Sequence, residues 1–476
     1  PHLLIPFRPP SIICSMVRRL LCFILFILML SGCGLQRSLP LPFGKPMTED
    51  DEARISREFR REAKNHLELV RNPEVNRYID QVARRILAVM GPQPFEYRFF
   101  VVKNSQLNAF AVPGGSIYMH TGLIEQISTT DELAGVLGHE IVHVKSRHIA
   151  RMSGPDPISL LGLLGVFLAV GGPQAQAAGA LSQGLAATRQ LSYSRRVEQE
   201  ADTLGIKYMA EAGYDPRGAL RFLKLIDQER ILNPVDVPAY MLTHPLTQER
   251  IGSVSLLVRS LGVQRLRTER PDPIKRVQLI LRLEKGEVDR VIEELKKLVS
   301  QNPEKAEPKH LLGMAYHYNR MWALAREGYE EARSLDPNIP GIDRDLGRLF
   351  TQTGEFRLAH EAFKRSLVAE AKEPLTYLYL GRLFEKESQF GEAVGAYLRA
   401  TNLSPLWDEP PRRLGVVYGK MNRLGDAYYY LGRSYLLQDE DEKAITALER
   451  AVDNFGEASP RGDLIRDEIE FIRERS

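Results

Sequence analysis

The sequence predicts a mainly α protein in two parts, an α+β domain with a small β-hairpin followed by a solenoid of stacked helix pairs. Three observations predict it. Leu312-Gly313, Leu346-Gly347, Leu380-Gly381 and Leu414-Gly415 recur every 34 residues, with Tyr316, Phe350, Phe384 or Tyr418 three positions after each glycine; this is the spacing of a helix-pair repeat. Strand composition is concentrated in Tyr97–Val102, Asn108–Val112 and Ser116–Met119, the last two flanking a Pro113-Gly114-Gly115 turn. Between these regions a strongly helical run contains His139-Glu140-Ile141-Val142-His143.

At 476 residues the chain holds roughly three domains' worth of sequence, with 43% apolar residues for ordinary cores. A net charge of +3 is close to balance, so no global basic field argues for nucleic acid as a partner, and none is expected. The three cysteines, Cys14, Cys22 and Cys33, all precede the body. No disulfide or cysteine-ligated metal can therefore operate after Cys33, which suits an oxidising compartment because nothing in the body can mispair.

The amino terminus accounts for those cysteines. Arg18-Arg19, an apolar run from Leu20 to Leu30, and small residues before Cys33 read as a secretory signal, with an uncleaved signal anchor as the alternative. The run of about eleven residues is too short to span a bilayer. Leu30-Ser31-Gly32-Cys33 resembles the bacterial lipobox, which implies lipidation of Cys33; Gly34 in place of an aspartate then implies the outer membrane. Residues 1–33 are read as this signal, with Met16 the better start and residues 1–15 an upstream extension. Residues 34–47, with Pro40, Pro42 and Pro46, read as a tether.

The first domain is assigned to residues 48–268. A charged helix is expected from Glu49 to about Arg71, and a second from Glu74 to Met90 with Val75, Tyr78, Ile79, Val82, Ile86 and Leu87 on one face, ended by Gly91-Pro92. The strands follow. An exposed edge there can bind extended peptide by strand addition, and the hairpin can equally serve to cover the helix behind it.

Thr129-x-x-Glu132 is a capping box, so the next helix is expected from Thr130 to about Arg151. Within it His139 and His143, four positions apart, sit about 40° apart and can reach one metal ion, while Glu140 is turned about 100° away, where it can meet water without being a ligand. This is a zincin arrangement, two imidazoles holding Zn²⁺ and a carboxylate taking a proton. On a continuous helix His148 lies about 180° from His139, a surface or packing histidine and no ligand. Ile158 to Val170 is almost wholly apolar and, in a stretch 158–181 broken by Gly171-Gly172-Pro173, reads as a core helix, a mobile lid or a membrane contact.

A catalytic zinc needs a third protein ligand and an open position. In the helical stretch after Ser194, Glu198 and Asp202 share a face and Glu200 points away. Glu198 can thus reach the metal while Asp202 orients a histidine from behind. A merely solvated acidic helix is the competing reading, and the pairing with the histidine motif outweighs it.

His-Glu-x-x-His, followed about fifty-five residues later by Glu198-x-Glu200-Ala201-Asp202 and preceded by Asn108-Ala-Phe-Ala-Val-Pro-Gly-Gly115, resembles the zinc peptidase family of the HtpX and CAAX prenyl proteases. The resemblance implies a zincin-type α+β metallopeptidase domain with one Zn²⁺ on His139, His143 and Glu198, Glu140 as general base and Asp202 behind the ligands. Lacking the family's multiple apolar spans after its signal, the chain is similar to the periplasmic BepA-like branch. There a histidine placed like His244, in Thr243-His244-Pro245 before a helix expected over Leu246–Gly262, closes the resting zinc site or serves turnover; a capping or loop histidine is the alternative.

Residues 269–476 form the second part, opened by Arg270-Pro271-Asp272-Pro273. Ala325 and Tyr329, Ala359 and Phe363, and Ala393 and Tyr397 follow the repeat glycines at matching offsets; Leu279 and Pro303 mark an earlier, weaker unit. Half a period after Gly415, Leu431-Gly432-x-x-Tyr435 reappears, so the last pair re-registers by one helix, and residues 460–476 read as a capping helix. An α-solenoid of tetratricopeptide repeats offers a concave face for partners, unless it only adds stability. The family resemblance implies unfolded or misassembled outer-membrane β-barrel proteins as substrates, the barrel-insertion machinery as partner of the repeats, and a periplasmic location anchored to the outer membrane by lipid. The competing function is a chaperone or assembly scaffold whose zinc site is mostly shut.

Overall fold

A computed structural model of the chain describes residues 47–152, 194–233, 238–262, 272–456 and 459–475. The signal-like run, Cys33, nearly all of the tether and the apolar stretch 158–181 lie outside these residues.

Helix α1 (Glu49–His66) starts on a complete capping box: Thr48 Oγ1 accepts from the Asp51 amide at 3.1 Å, and Asp51 Oδ2 accepts from the Thr48 amide at 3.0 Å. It ends at His66 rather than near Arg71, because the following residues are recruited by the sheet. The Val70 amide donates to Val101 O at 2.8 Å, and Leu69 bridges Val102. Helix α2 (Pro73–Leu87) is capped by Asn72 and buries the predicted face of Val75, Ile79, Val82 and Ile86.

Strands β1 (Arg98–Val102), β2 (Ala109–Val112) and β3 (Ser116–His120) make one sheet in the order β1-β3-β2, with β1 parallel and β2 antiparallel to β3. Alternation along the strands sorts side chains into two cores. Val102, Phe110, Val112 and Tyr118 pack under Ile55 and Phe59 of α1, while Val101, Ala109, Ala111, Ile117 and Met119 join the large core shared with α2. Each buried Val, Ile, Phe or Met among them contributes about 1.5–3 kcal/mol.

After the short α3 (Thr121–Gln126) comes α4 (Thr130–Lys145), buried throughout Glu132–Val144. A helix buried around its whole circumference belongs at the centre of a domain, and α4 packs against α6 (Arg195–Glu211) and α7 (Arg217–Leu232). The crossing with α6 is made by two glycines. A Cβ on Gly205 would fall 2.9 Å from the Gly138 carbonyl carbon, and one on Gly138 would fall 3.0 Å from Gly205 O. That backbone contact lies one residue before His139. Helices α8 (Ala239–Thr243) and α9 (Gln248–Ser260) complete this part.

The solenoid begins with α10 (Ile274–Glu284) and α11 (Val288–Gln301) and continues through α12 (Ala306–Tyr318), α13 (Trp322–Leu335), α14 (Ile342–Thr353), α15 (Phe356–Ala369), α16 (Pro374–Lys386) and α17 (Phe390–Leu403). It closes with α18 (Glu409–Lys420), α19 (Leu424–Leu437), α20 (Asp441–Phe455) and α21 (Pro460–Arg475). The repeat glycines have one physical use: a Cβ on Gly313, Gly347 or Gly381 would strike the ring of Tyr329, Phe363 or Tyr397 at 2.5–2.7 Å. At Gly415 the opposing side chain is Leu431, and at Gly432 it is Leu448. Helix α19 therefore serves as second helix of one unit and first helix of the next, which is the half-period shift seen in the sequence.

The two parts are joined by buried charge. Glu74 of α2 takes Arg276 at 2.5 Å, Arg348 at 2.5 Å and Arg344 at 3.2 Å. Asp272 accepts from the Thr130 amide at 2.9 Å, so the solenoid's entry also caps α4. At the far end Arg60 of α1 grips Asp439 with two hydrogen bonds of 2.7 and 2.5 Å, across 379 residues of sequence.

Candidate metal centre

Helices α4 and α6 and the segment between α8 and α9 bring His139, His143, Glu198 and His244 together, all buried, with one donor atom each inside a 4.8 Å group. His139 Nε2 lies 3.0 Å from His143 Nε2 and 3.3 Å from His244 Nδ1. Glu198 Oε1 lies 3.0 Å from His244 Nδ1 and 3.4 Å from His143 Nε2, and its Oε2 lies 3.5 Å from His139 Nε2. Four donors each about 2.0–2.1 Å from one tetrahedral ion would be about 3.3 Å apart. The spacing fits.

Tautomers give a second test of fit. Asp202 Oδ1 lies 3.0 Å from His139 Nδ1, so that nitrogen carries the proton and Nε2 presents its lone pair. His143 Nδ1 faces His148 Nδ1 at 3.0 Å, and His148 Nε2 lies 3.6 Å from Glu200 Oε2. With both Nδ1 protons directed outwards, two Nε2 lone pairs converge at 3.0 Å. A divalent cation between the two lone pairs relieves their repulsion, as a shared N–H···N hydrogen bond does when one ring is protonated. The residues present therefore suit a divalent metal.

His148 departs from its sequence reading. The helix does not run on to Arg151: it stops at Lys145, Arg147 takes a left-handed φ of 53°, and a separate α5 (His148–Met152) follows. That break carries His148 from the predicted far side to the back of His143, where it is 2% exposed. It remains outside the group of four donors.

Glu140 is wholly buried, His244 Nε2 lies 3.5 Å from its Oε1, and neither carboxylate oxygen has a hydrogen-bond donor among the described residues. His244 itself is 1% exposed and its ring stacks on Tyr240, with centroids 4.4 Å apart. The Tyr240 amide donates to Leu107 O at 3.3 Å, so the segment bearing His244 runs beside the start of β2. Because the His120 amide donates to Asn108 O, the even-numbered residues of β2 face β3, and the amides and carbonyls of Ala109 and Ala111 lie on the outer edge.

Arg250 was not singled out by the sequence. It is 4% exposed, forks onto Asp202 at 2.6 and 2.9 Å, contacts Glu198 Oε2, and reaches Pro245 O at 3.4 Å. A cation in the first turn of α9, just after the Thr247 cap, works against the helix dipole. That oddity was the available signal that Arg250 is held for another purpose.

Charge is tightly balanced here. Burial opposes ionisation of Glu198 and Asp202, yet both carboxyls are held below the ordinary range, Glu198 by His244, His139 and Arg250 and Asp202 chiefly by Arg250. Burial pushes His143 well down, whereas at His139 the same burial is outweighed by Glu198 and Asp202, which raise it.

Residues 70–257, which span every residue of this centre, match peptidase family M48, and residues 426–458 match a tetratricopeptide repeat. The beta-barrel assembly-enhancing protease of Yersinia pestis is 35% identical over 217 residues, 44% of each chain. The same-named protein of Escherichia coli (strain K12) is 34% identical over 217 residues, again 44% of each. The mitochondrial metalloendopeptidase OMA1 of Schizosaccharomyces pombe is 30% identical over 190 residues, 40% of this chain and 54% of that one. The chain thus spans about half the length of these relatives. It carries a peptidase family M48 domain, homologous to the beta-barrel assembly-enhancing proteases, joined to a solenoid of tetratricopeptide repeats.

Proposed function

We propose that the chain is a zinc endopeptidase of the periplasm that cleaves misfolded or stalled outer-membrane β-barrel proteins, anchored to the outer membrane by lipid at Cys33. The observation that carries the activity is the convergence of four buried donors within 4.8 Å of one another, with the buried Glu140 carboxylate beside His244. His139, His143 and Glu198 would hold Zn²⁺, which when bound polarises a peptide carbonyl and acidifies water. Glu140 accepts the water proton on its carboxylate and returns it to the leaving amine. Asp202 fixes the His139 tautomer, and Arg250 fixes Asp202. The outer edge of β2 pairs with an extended substrate once the His244 segment is displaced. The repeats recruit the barrel-insertion machinery. Substrate, partner and location rest on the similarity to the relatives above and on residues 18–33.

Metal analysis of the purified chain, with casein cleavage measured with and without chelator, tests this reading. One zinc per chain and chelator-sensitive cleavage are the expected results. Glu140→Gln should lower cleavage about 100- to 10,000-fold with metal content unchanged, the usual contribution of a general base. Undiminished proteolysis in that variant refutes the mechanism.

One observation favours a second reading, a chaperone or scaffold with a self-closed site. A catalytic zinc keeps one position open, and here His244 Nδ1 takes it, 3.0 Å from Glu198 and 3.3 Å from His139. If this reading holds, Glu140→Gln retains the assembly function entirely.

A further inference from the structure

Across the first helices of three successive units, α14, α16 and α18, a recess of about 310 Å³ is lined by Arg348, Arg382, Lys386, Arg413 and Lys420, with Glu385 among them. Arg348 and Arg382 are 34 residues apart, as are Lys386 and Lys420, so repeat register puts each pair at the same position of consecutive first helices. The cations form a strip along the solenoid rather than a single closed clamp.

Their charge is under-compensated. Glu385 is shared by Lys420 at 3.0 Å and Arg413 at 3.4 Å, and also accepts from the Tyr397 hydroxyl at 2.5 Å. Glu409 is shared by Arg382, Arg412 and Arg413; Glu74 by Arg276, Arg344 and Arg348; Asp345 by Arg276 and Arg348. The Lys386 ammonium donates to Thr351 O at 3.0 Å and meets no carboxylate among the described residues. Along these pairs seven cations share four carboxylates and Lys386 adds an eighth charge without one, which leaves a positive excess. The buried Nε–H of Arg382 also lacks a hydrogen-bond acceptor among the described residues, a condition that a ligand oxygen relieves. The Tyr379 ring is covered by the guanidinium groups of Arg348 and Arg382, at 4.6 and 5.4 Å from its centroid, which holds both cations in place.

We propose that this recess binds an internal acidic stretch of an extended polypeptide, whose carboxylates meet Arg382, Lys386, Arg413 and Lys420. A strip of cations suits carboxylates spaced along a chain better than one chain terminus. The proposal concerns binding alone and stands whether or not the metal centre cuts.

The test is fluorescence anisotropy on the full chain carrying Glu140→Gln, so that no probe is cleaved. The probe is a short fluorescein-labelled, carboxy-amidated peptide alternating Glu with Leu. It should bind, and bind more weakly as salt rises, because the Debye length shrinks from about 10 Å at 0.1 M to about 3 Å at 1 M. Lys386→Glu with Lys420→Glu should weaken it at least about tenfold, since like charges replace complementary ones. Both lysines are exposed, and Lys386→Gln with Lys420→Gln gives a milder loss in a chain whose thermal unfolding is unchanged. Equal binding of the peptide with Gln for Glu overturns the proposal in favour of apolar capture. Binding that requires a free carboxyl terminus, tighter binding of a single-stranded oligonucleotide, or indifference to both lysine pairs overturns it as well.

Discussion

Arg250→Met tests how the metal centre is held. Methionine keeps most of the apolar stem and removes the guanidinium that joins Asp202 and Glu198. Those carboxylates are 8% and 1% exposed, so neither gains water in exchange. Breaking a buried ion pair from one side costs about 3–5 kcal/mol, and the metal-free chain should lose stability of that order. Asp202 is also released from the fork that aims it at His139 Nδ1, and loss of such a supporting partner lowers metal affinity about 10- to 100-fold. The two effects are coupled: a divalent cation on His139, His143 and Glu198 supplies the charge that Arg250 gave, so the zinc-loaded variant should be destabilised less than the metal-free one. Urea unfolding in chelator and in zinc, together with competition against a chromophoric chelator, measures all three quantities. Arg250→Lys keeps the charge without the planar fork and should restore stability more than affinity. A methionine variant that unfolds at the wild-type urea midpoint in chelator and competes equally for zinc refutes the reasoning.

His244→Ala removes the fourth donor but none of the three proposed ligands, so it should change casein cleavage more than zinc content; loss of the metal would instead make His244 a structural ligand. Gly205→Ala places a methyl 2.9 Å from the Gly138 carbonyl carbon and must separate α4 from α6, so zinc affinity should fall while the solenoid's helical signal persists; unchanged affinity would mean that the crossing adapts. Glu74 tests the junction between the two parts. Burial works to raise its carboxyl, but Arg276, Arg348 and Arg344 hold it down to about 2 from the ordinary 4.5. A depressed folded-state value means stabilisation in full above about 4.5 and lost as pH falls towards about 2. Urea unfolding from pH 6 to 3 should therefore show less acid sensitivity in Glu74→Gln than in the parent, and parallel curves would remove Glu74 as a linkage group.

The sequence by itself determined what repeats locally. Helical geometry fixes how residues four apart share a face, so His139 with His143 and Glu198 with Asp202 were legible as pairs. A 34-residue period with Leu-Gly and aromatic residues at fixed offsets marks equivalent helix pairs, and even the half-period shift at Leu431-Gly432 could be read. Alternation around Pro113-Gly114-Gly115 gave the hairpin, but not the parallel pairing of β1 with β3, because strand order depends on which edge a distant segment finds. Extrapolating one helix through Arg147 misplaced His148, since a single left-handed residue redirects everything after it and leaves no trace in an apolar pattern.

Tertiary structure decided how the pairs meet and what else joins them. The contact of Gly138 with Gly205 brings two helices to backbone distance and so sets Glu198 against His139 and His143. Packing of α9 carries Arg250 back onto Asp202, and the solenoid returns Asp439 to Arg60 across 379 residues. Local periodicity is written in each segment because neighbouring residues share one helix. Convergence of charges from separate helices is a property of the packed interior, where burial makes each of them require the others.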